Sequence, residues 1–251
     1  MTKLSTKFLS WTFALMALTW GVCAVCSKNG IFIGDNVFLF AIYIAGGYSP
    51  TIASFIVLKQ SGQVENFVEW LKGIFDFKHK PVVYLMVIAL SVVSLVLGGL
   101  IAGYEQYLPL YFIFIQVPAM IFGGGLEELG WRHILQPELE KKLTFTMSTI
   151  IVSIIWWFWH LPLFYVSGVW QYGRNFAIFG ISVIGIGFAL AAIKKKTGST
   201  WLCVLFHACT NAWASIVAVN ENTLATMVGA VALVIISSVW VKMESKDKLQ
   251  P

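Results

Sequence analysis

The stretch GGGLEELGWRH, residues 123–133, sets Glu127 and Glu128 side by side, with Arg132 four residues beyond the second carboxylate. Three more polar side chains suited to acid–base work stand in oily surroundings: His160 in IIWWFWHLPLF, and His207 and Asn211 in WLCVLFHACTN. Carboxylates and imidazoles move protons near neutral pH. An amide N–H beside an imidazole can donate to a developing oxyanion. Helical neighbours four apart share a face, so Glu128 can pair with Arg132, His207 stacks with Asn211, and Trp156 can wall His160. Glu127 is rotated by about 100° from Glu128. The two carboxylates therefore aim at different points, and one can work while Arg132 holds the other. No serine lies in a GxSxG and no HExxH is present, so the serine-elbow and zincin routes lack their signatures. Cys203 precedes His207 by four, a thiol–imidazole pair by spacing alone.

These groups sit in a chain of 251 residues that is 58% hydrophobic and 12% charged. A soluble domain carries about a quarter charged residues, so the sequence predicts an all-α polytopic membrane bundle filling residues 1–251 as one domain. Spanning helices need about 20 apolar residues. Eight candidates follow: 8–26, 37–58, 81–103, 108–135, 148–166, 175–193, 199–219 and 223–241, with the polar residues inside a core of about 108–219. Residues 8–26 follow two lysines and imitate a signal peptide, but the run is long and no small-residue cleavage site ends it, so a retained helix is expected. Between the second and third spans, Val64, Phe67, Val68, Leu71, Ile74 and Phe75 recur at helical spacing among charges, which predicts an interfacial amphipathic helix over 61–80. Cys23, Cys26, Cys203 and Cys209 fall in or beside apolar runs and read as small buried hydrophobes; the lone CxxC at 23–26 has no second pair.

Of the seventeen Lys and Arg residues, fifteen fall on one side of this eight-span arrangement, counting Arg132, Lys246 and Lys248. Only Lys28 and Arg174 fall on the other. The positive-inside rule then puts both termini in the cytoplasm, and the surplus of base reports topology and anionic lipid rather than nucleic acid. Counted from those cytoplasmic ends, Glu127, His160 and His207 lie about 8 to 12 residues in, roughly 12–18 Å at the helical rise. A charge at mid-bilayer costs about 3 kcal/mol. A helix-end ion pair reaching for the interface, with two hydrogen-bonded histidines, would explain each residue alone. Their shared depth on three helices points instead to one polar site. Gly123–Gly125 either lets a neighbouring helix close in or opens the helix before the glutamates.

The three clusters, Glu127-Glu128-LGW-Arg132, Trp156-WFW-His160 and His207-ACT-Asn211, resemble in order the EExxxR, [FW]xxxH and HxxxN motifs of the CAAX-protease and bacteriocin-processing family of intramembrane endopeptidases. GGYSPTIASFI in the second span is similar to that family's small-residue and proline segment. The resemblance implies a peptidase in which Glu127 activates water, His160 positions it, His207 and Asn211 stabilise the oxyanion, and Glu128 and Arg132 organise the site. It further implies a membrane-associated or C-terminal peptide substrate, as in peptide or bacteriocin maturation, self-immunity or CAAX-type processing; the short chain without extended loops points to a bacterial plasma membrane. The resemblance leaves the cofactor open: Glu127 without a metal, or Glu127, His160 and His207 as a His₂Glu set for a divalent ion such as zinc. Two other functions compete, a non-catalytic scaffold or regulator of the same family, and a transporter using the groups as a proton relay. No internal repeat of the spans supports the last.

Overall fold

A computed structural model describes residues 2–243; Lys246 and Lys248, counted above, lie outside them. The chain is helical almost throughout. Its helices are α1 (Lys3–Lys28), α2 (Val37–Gly47) and α3 (Ser49–Gln60) bent by 55° at Tyr48, and a short α4 (Phe67–Lys72). Then follow α5 (Pro81–Ala102), α6 (Leu110–Glu140), α7 (Phe145–Trp159), α8 (Phe176–Thr197), α9 (Thr200–Ile216) and α10 (Thr223–Lys242). Among the described residues six helical stretches are long and apolar enough to cross a bilayer, α7 counting with the tight turns that carry it to Tyr165, and the bent α2–α3 pair makes a seventh. The predicted span over 199–219 is helical only to Ile216, for 17 residues. Its last three residues instead form a strand, β2 (Val217–Val219), antiparallel to β1 (Tyr104–Gln106). The β-branched Val217 and Val219 suit that extended pairing better than another helical turn.

The amphipathic helix expected over 61–80 is a single short helix. Asn66 caps it by accepting from the Glu69 amide, so no helix precedes residue 67. Gly73 ends it, and Asp76 accepts from the Lys78 amide to make a turn before Pro81 opens α5. Of the apolar residues in the segment, Ile74 is buried and Trp70 tucks its indole N–H onto Ser54 Oγ at 3.3 Å. Phe67 and Val68 remain 53% and 58% exposed, the outward face an interfacial helix requires.

Side-chain ties define the two ends of the bundle. At one end Thr2 Oγ1 donates to Glu138, Lys195 pairs with Glu140 at 2.7 Å, and Lys194 Nζ donates to Thr200 Oγ1 at 2.9 Å. The start of α1 and the ends of α6 and α8 meet there, with their lysines. At the other end Arg174 pairs with Glu221 at 2.7 Å, Asn220 Nδ2 donates to Ala102 O, the Ser167 amide donates to Ser27 Oγ, and the two strands pair. The charge asymmetry read from the sequence is thus an asymmetry between the ends of the bundle, with one change. Arg132 belongs to neither end: it is fully buried in the interior. The four cysteines are free thiols; Cys23, Cys203 and Cys209 are buried and Cys26 is half-buried.

Candidate active site

The α6 segment carrying the glutamates is not a regular helix. Regular turns run from Ile113 to Phe122 and stop at Gly123. Gly124 takes φ +144°, open only to glycine. Tight turns carry Gly125–Glu127 and wider turns Trp131–Leu135, before α-helix resumes at Gln136. Both readings of the glycine run hold: Gly124 opens the helix, and a Cβ on Gly125 would stand 2.9 Å from Val204 O, so that glycine lets α6 press onto α9. The α2–α3 bend braces the opened backbone. Thr51 Oγ1 donates to Leu126 O at 2.7 Å, and Trp159 Nε1 donates to Ser49 Oγ at 3.0 Å.

The two carboxylates then diverge, as their spacing predicts. Glu128 is fully enclosed, with Oε2 3.1 Å from Arg132 Nη1 and Oε1 2.8 Å from His207 Nδ1. Arg132 also reaches Gly187 O at 3.4 Å and lies over the Trp156 ring, 5.0 Å from its centroid. A carboxylate held by Arg132 is an acceptor, so His207 Nδ1 carries the proton of that bond and Nε2 faces away from Glu128. Glu127, 8% exposed, takes the Trp156 indole N–H on Oε2 at 2.8 Å. Its other oxygen faces the gap beside Gly124. The point where a Gly124 side chain would begin lies 2.5 Å from Asn211 Nδ2, 3.4 Å from His207 Nε2 and 3.7 Å from Glu127 Oε1. Three functional groups from α6 and α9 therefore converge on a position where the chain has no side chain.

His160 follows the last residue of α7. Its Nδ1 is 2.8 Å from Trp156 O, and its ring packs against Trp159, Phe179 and Trp156. It joins the group through Trp156 and lines the same cavity of about 1220 Å³ as Glu127, His207 and Asn211. All six residues singled out in the sequence thus lie around one centre. Their depth differs from expectation: His160 stands near the Arg174 end of its helix, because the α-helix starts at Phe145 rather than 148 and stops at Trp159 rather than running on to 166. Glu127, His160 and His207 do not close into a ligand set. Among the described residues no group of three or more His, Cys, Asp or Glu side chains is placed to hold a metal ion.

Sequence reasoning missed the reach of Trp156, expected only to wall a histidine. It also touches Glu127, Arg132 and His207, the last at 5.3 Å between ring centroids. It missed Trp20, Tyr43 and Tyr48 on the cavity wall as well. The signal for Tyr48 was the Tyr-Ser-Pro break in GGYSPTIASFI; for Trp20 and Tyr43 none was present.

A carboxylate, two imidazoles and an amide are thus gathered over a backbone opening inside a membrane bundle. The family model described as "Type II CAAX prenyl endopeptidase Rce1-like" matches residues 108–213, which hold all six residues. A protein of Methanococcus maripaludis named "CAAX prenyl protease 2" is 25% identical over 256 residues, covering 90% of this chain and 89% of the relative. The similarity is to the CAAX-protease class and supports a membrane protease, and the long apolar helices support an integral membrane protein.

Proposed function

We propose that the protein is an intramembrane endopeptidase in which Glu127 activates the attacking water. The observation that carries this reading is the convergence of Glu127 Oε1, His207 Nε2 and Asn211 Nδ2 beside Gly124. With the scissile carbonyl over Gly124, Asn211 Nδ2 and a protonated His207 Nε2 donate to the oxygen as it gains charge. Glu127 takes a proton from the water and returns it to the departing amine. His160, its Nδ1 engaged by Trp156 O, presents Nε2 towards the cavity and orients the water. Glu128 and Arg132 act through His207: the carboxylate fixes the ring and supplies the countercharge of an imidazolium, and Arg132 holds the carboxylate in place. With His207 protonated, two carboxylates face two cations, so the buried cluster is neutral.

The relative's name points to a C-terminal CAAX peptide bearing a prenyl group as the first substrate to try, beside unmodified membrane peptides. Purified wild type in detergent should cleave one of these. Glu127→Gln should remain folded and lose at least ~10²-fold in turnover, the usual contribution of a general base. Folded Glu127→Gln protein cleaving at the wild-type rate would remove glutamate catalysis from the site, whereas a wild type that binds such peptides without cleaving any of them would leave a non-catalytic scaffold as the better reading. A zinc ion held by Glu127, His160 and His207 would need those side chains to gather more closely than they do. Activity is therefore expected to survive exhaustive chelation; complete loss restored by zinc would make the two histidines ligands.

A further inference from the structure

Among the described residues, the lining of the cavity that holds Glu127 reaches one end of the bundle. From Glu127, His160 and Asn211 its lining continues to Glu105, Arg174 and Glu221, at the end where the strands pair. No part of its wall comes from the lysine-bearing loops over 61–80, 141–144 or 194–199. Between the site and those loops the chain is solidly packed: Leu129, Trp131, Ile134 and Leu135 are at most 2% exposed, and Glu128 and Arg132 are sealed among them. The separate pocket at the lysine end, lined by Asp76, His79 and Thr197 among others, shares no residue with the active-site cavity.

The end that the cavity reaches is the one poor in base. Lys28 and Arg174 are its cations, and Arg174 is paired with Glu221, whereas the opposite end gathers the lysines of the N-terminus, the 61–80 loop and the ends of α6 and α8. Short loops rich in Lys and Arg stay in the cytoplasm. We infer that the active site opens to the face of the membrane away from the cytoplasm, so that its substrates are peptides or protein tails exported to, or anchored at, that outer face. This rests on the peptidase reading and narrows it: a cytoplasmic C-terminal tail would meet the closed end of the bundle. The mouth also supplies the hydrolytic water. Glu105, Asn220 and Glu221 are exposed there, and a polar entrance carries water down to a site whose deeper walls include Leu95, Val183 and Leu233.

The test uses the full chain in a bacterial host, with its four cysteines replaced by alanine and one cysteine added at a time. In intact cells a membrane-impermeant maleimide should label Glu221→Cys at the mouth. Lys142→Cys at the opposite end should label only after permeabilisation. Thr210→Cys, on the cavity wall beside Asn211, should react with a small charged thiol reagent added outside. The reverse pattern, or equal labelling of both ends in intact cells, overturns the inference. So does a Thr210→Cys that reacts only in inverted vesicles. Labelling does not depend on turnover, so the two readings fail separately. An active Glu127→Gln enzyme would end glutamate catalysis and leave the labelling unchanged, and inverted labelling would end the outward opening and leave catalysis untouched.

Discussion

α6 and α8 are made of similar apolar residues and behave in opposite ways. α8 runs from Phe176 to Thr197 without interruption, ends at Gly198 with φ +71°, and packs mainly against α10 and α7. α6 breaks at Gly123–Gly124, passes through tight and then wide turns, and recovers regular helix only at Gln136. Inside a bilayer an irregular backbone persists only where protein or a wet cavity satisfies its polar groups. Here Thr51 takes Leu126 O, and the cavity lies on the other side. The regular helix holds the bundle together. The broken one exposes carboxylates at a depth where an intact helix would have kept them apart from each other's partners.

The sharpest break of this contrast is Arg132→Met. It strands the Glu128 carboxylate in the interior, and removing one partner of a buried pair costs about 3–5 kcal/mol. A large fall in the thermal midpoint of the detergent-solubilised protein is expected, with much of it recovered in the Arg132→Met, Glu128→Gln double variant. A single variant as stable as wild type would mean that the pair does not hold the broken segment. Next come two methyl groups added to glycines, one on each helix. Gly124→Ala meets both a glycine-only backbone angle and Asn211 Nδ2 at 2.5 Å. Strain of about 1–3 kcal/mol should appear chiefly as lost turnover, because the methyl fills the space assigned to the substrate carbonyl. Gly187→Ala would put its methyl 2.0 Å from Ser153 Oγ. Overpacking of about 1–3 kcal/mol should lower thermal stability and, because the methyl also stands 3.4 Å from Arg132 Nη2, cost the folded fraction some turnover but less than the Gly124 methyl does; Ser153→Ala should restore part of the stability. Equal effects of the two methyls on turnover would erase the distinction between scaffold and site. A change of comparable size, confined to the site, is Trp156→Phe, which keeps an aromatic ring and deletes the N–H bonded to Glu127. Hydrogen bonds to charged groups are worth about 1.5–3 kcal/mol, so turnover should fall about tenfold to a hundredfold, with a smaller loss of thermal stability.

The spans were legible because twenty-residue apolar runs leave little choice in a bilayer, and the i, i+4 spacing of Glu128 with Arg132 and of His207 with Asn211 was enough to separate the two carboxylates. Other features depend on tertiary contacts that no local pattern encodes. Residues 61–80 carry a helical apolar period, but Gly73 and the Asp76 turn cut the helix short. Val217–Val219 reads as the end of a helix until Tyr104–Gln106 is placed beside it. Arg132 looks like a loop cation by position and becomes an interior one because Glu128 and Gly187 O await it. The link from His207 to Glu128 joins residues 79 apart in sequence, and nothing in either motif announces it.

The indole of Trp156 makes the site a thermodynamically coupled unit. One side chain donates to Glu127, underlies Arg132, and abuts both His160 and His207. A change in any of these four is felt by the others through that ring. Single-residue losses in turnover should therefore overlap rather than multiply. In a double-mutant cycle, Trp156→Phe should cost far less once Glu127 is already glutamine, and the interaction energy from that cycle would measure how much of the general base's effect is the carboxylate and how much its orientation.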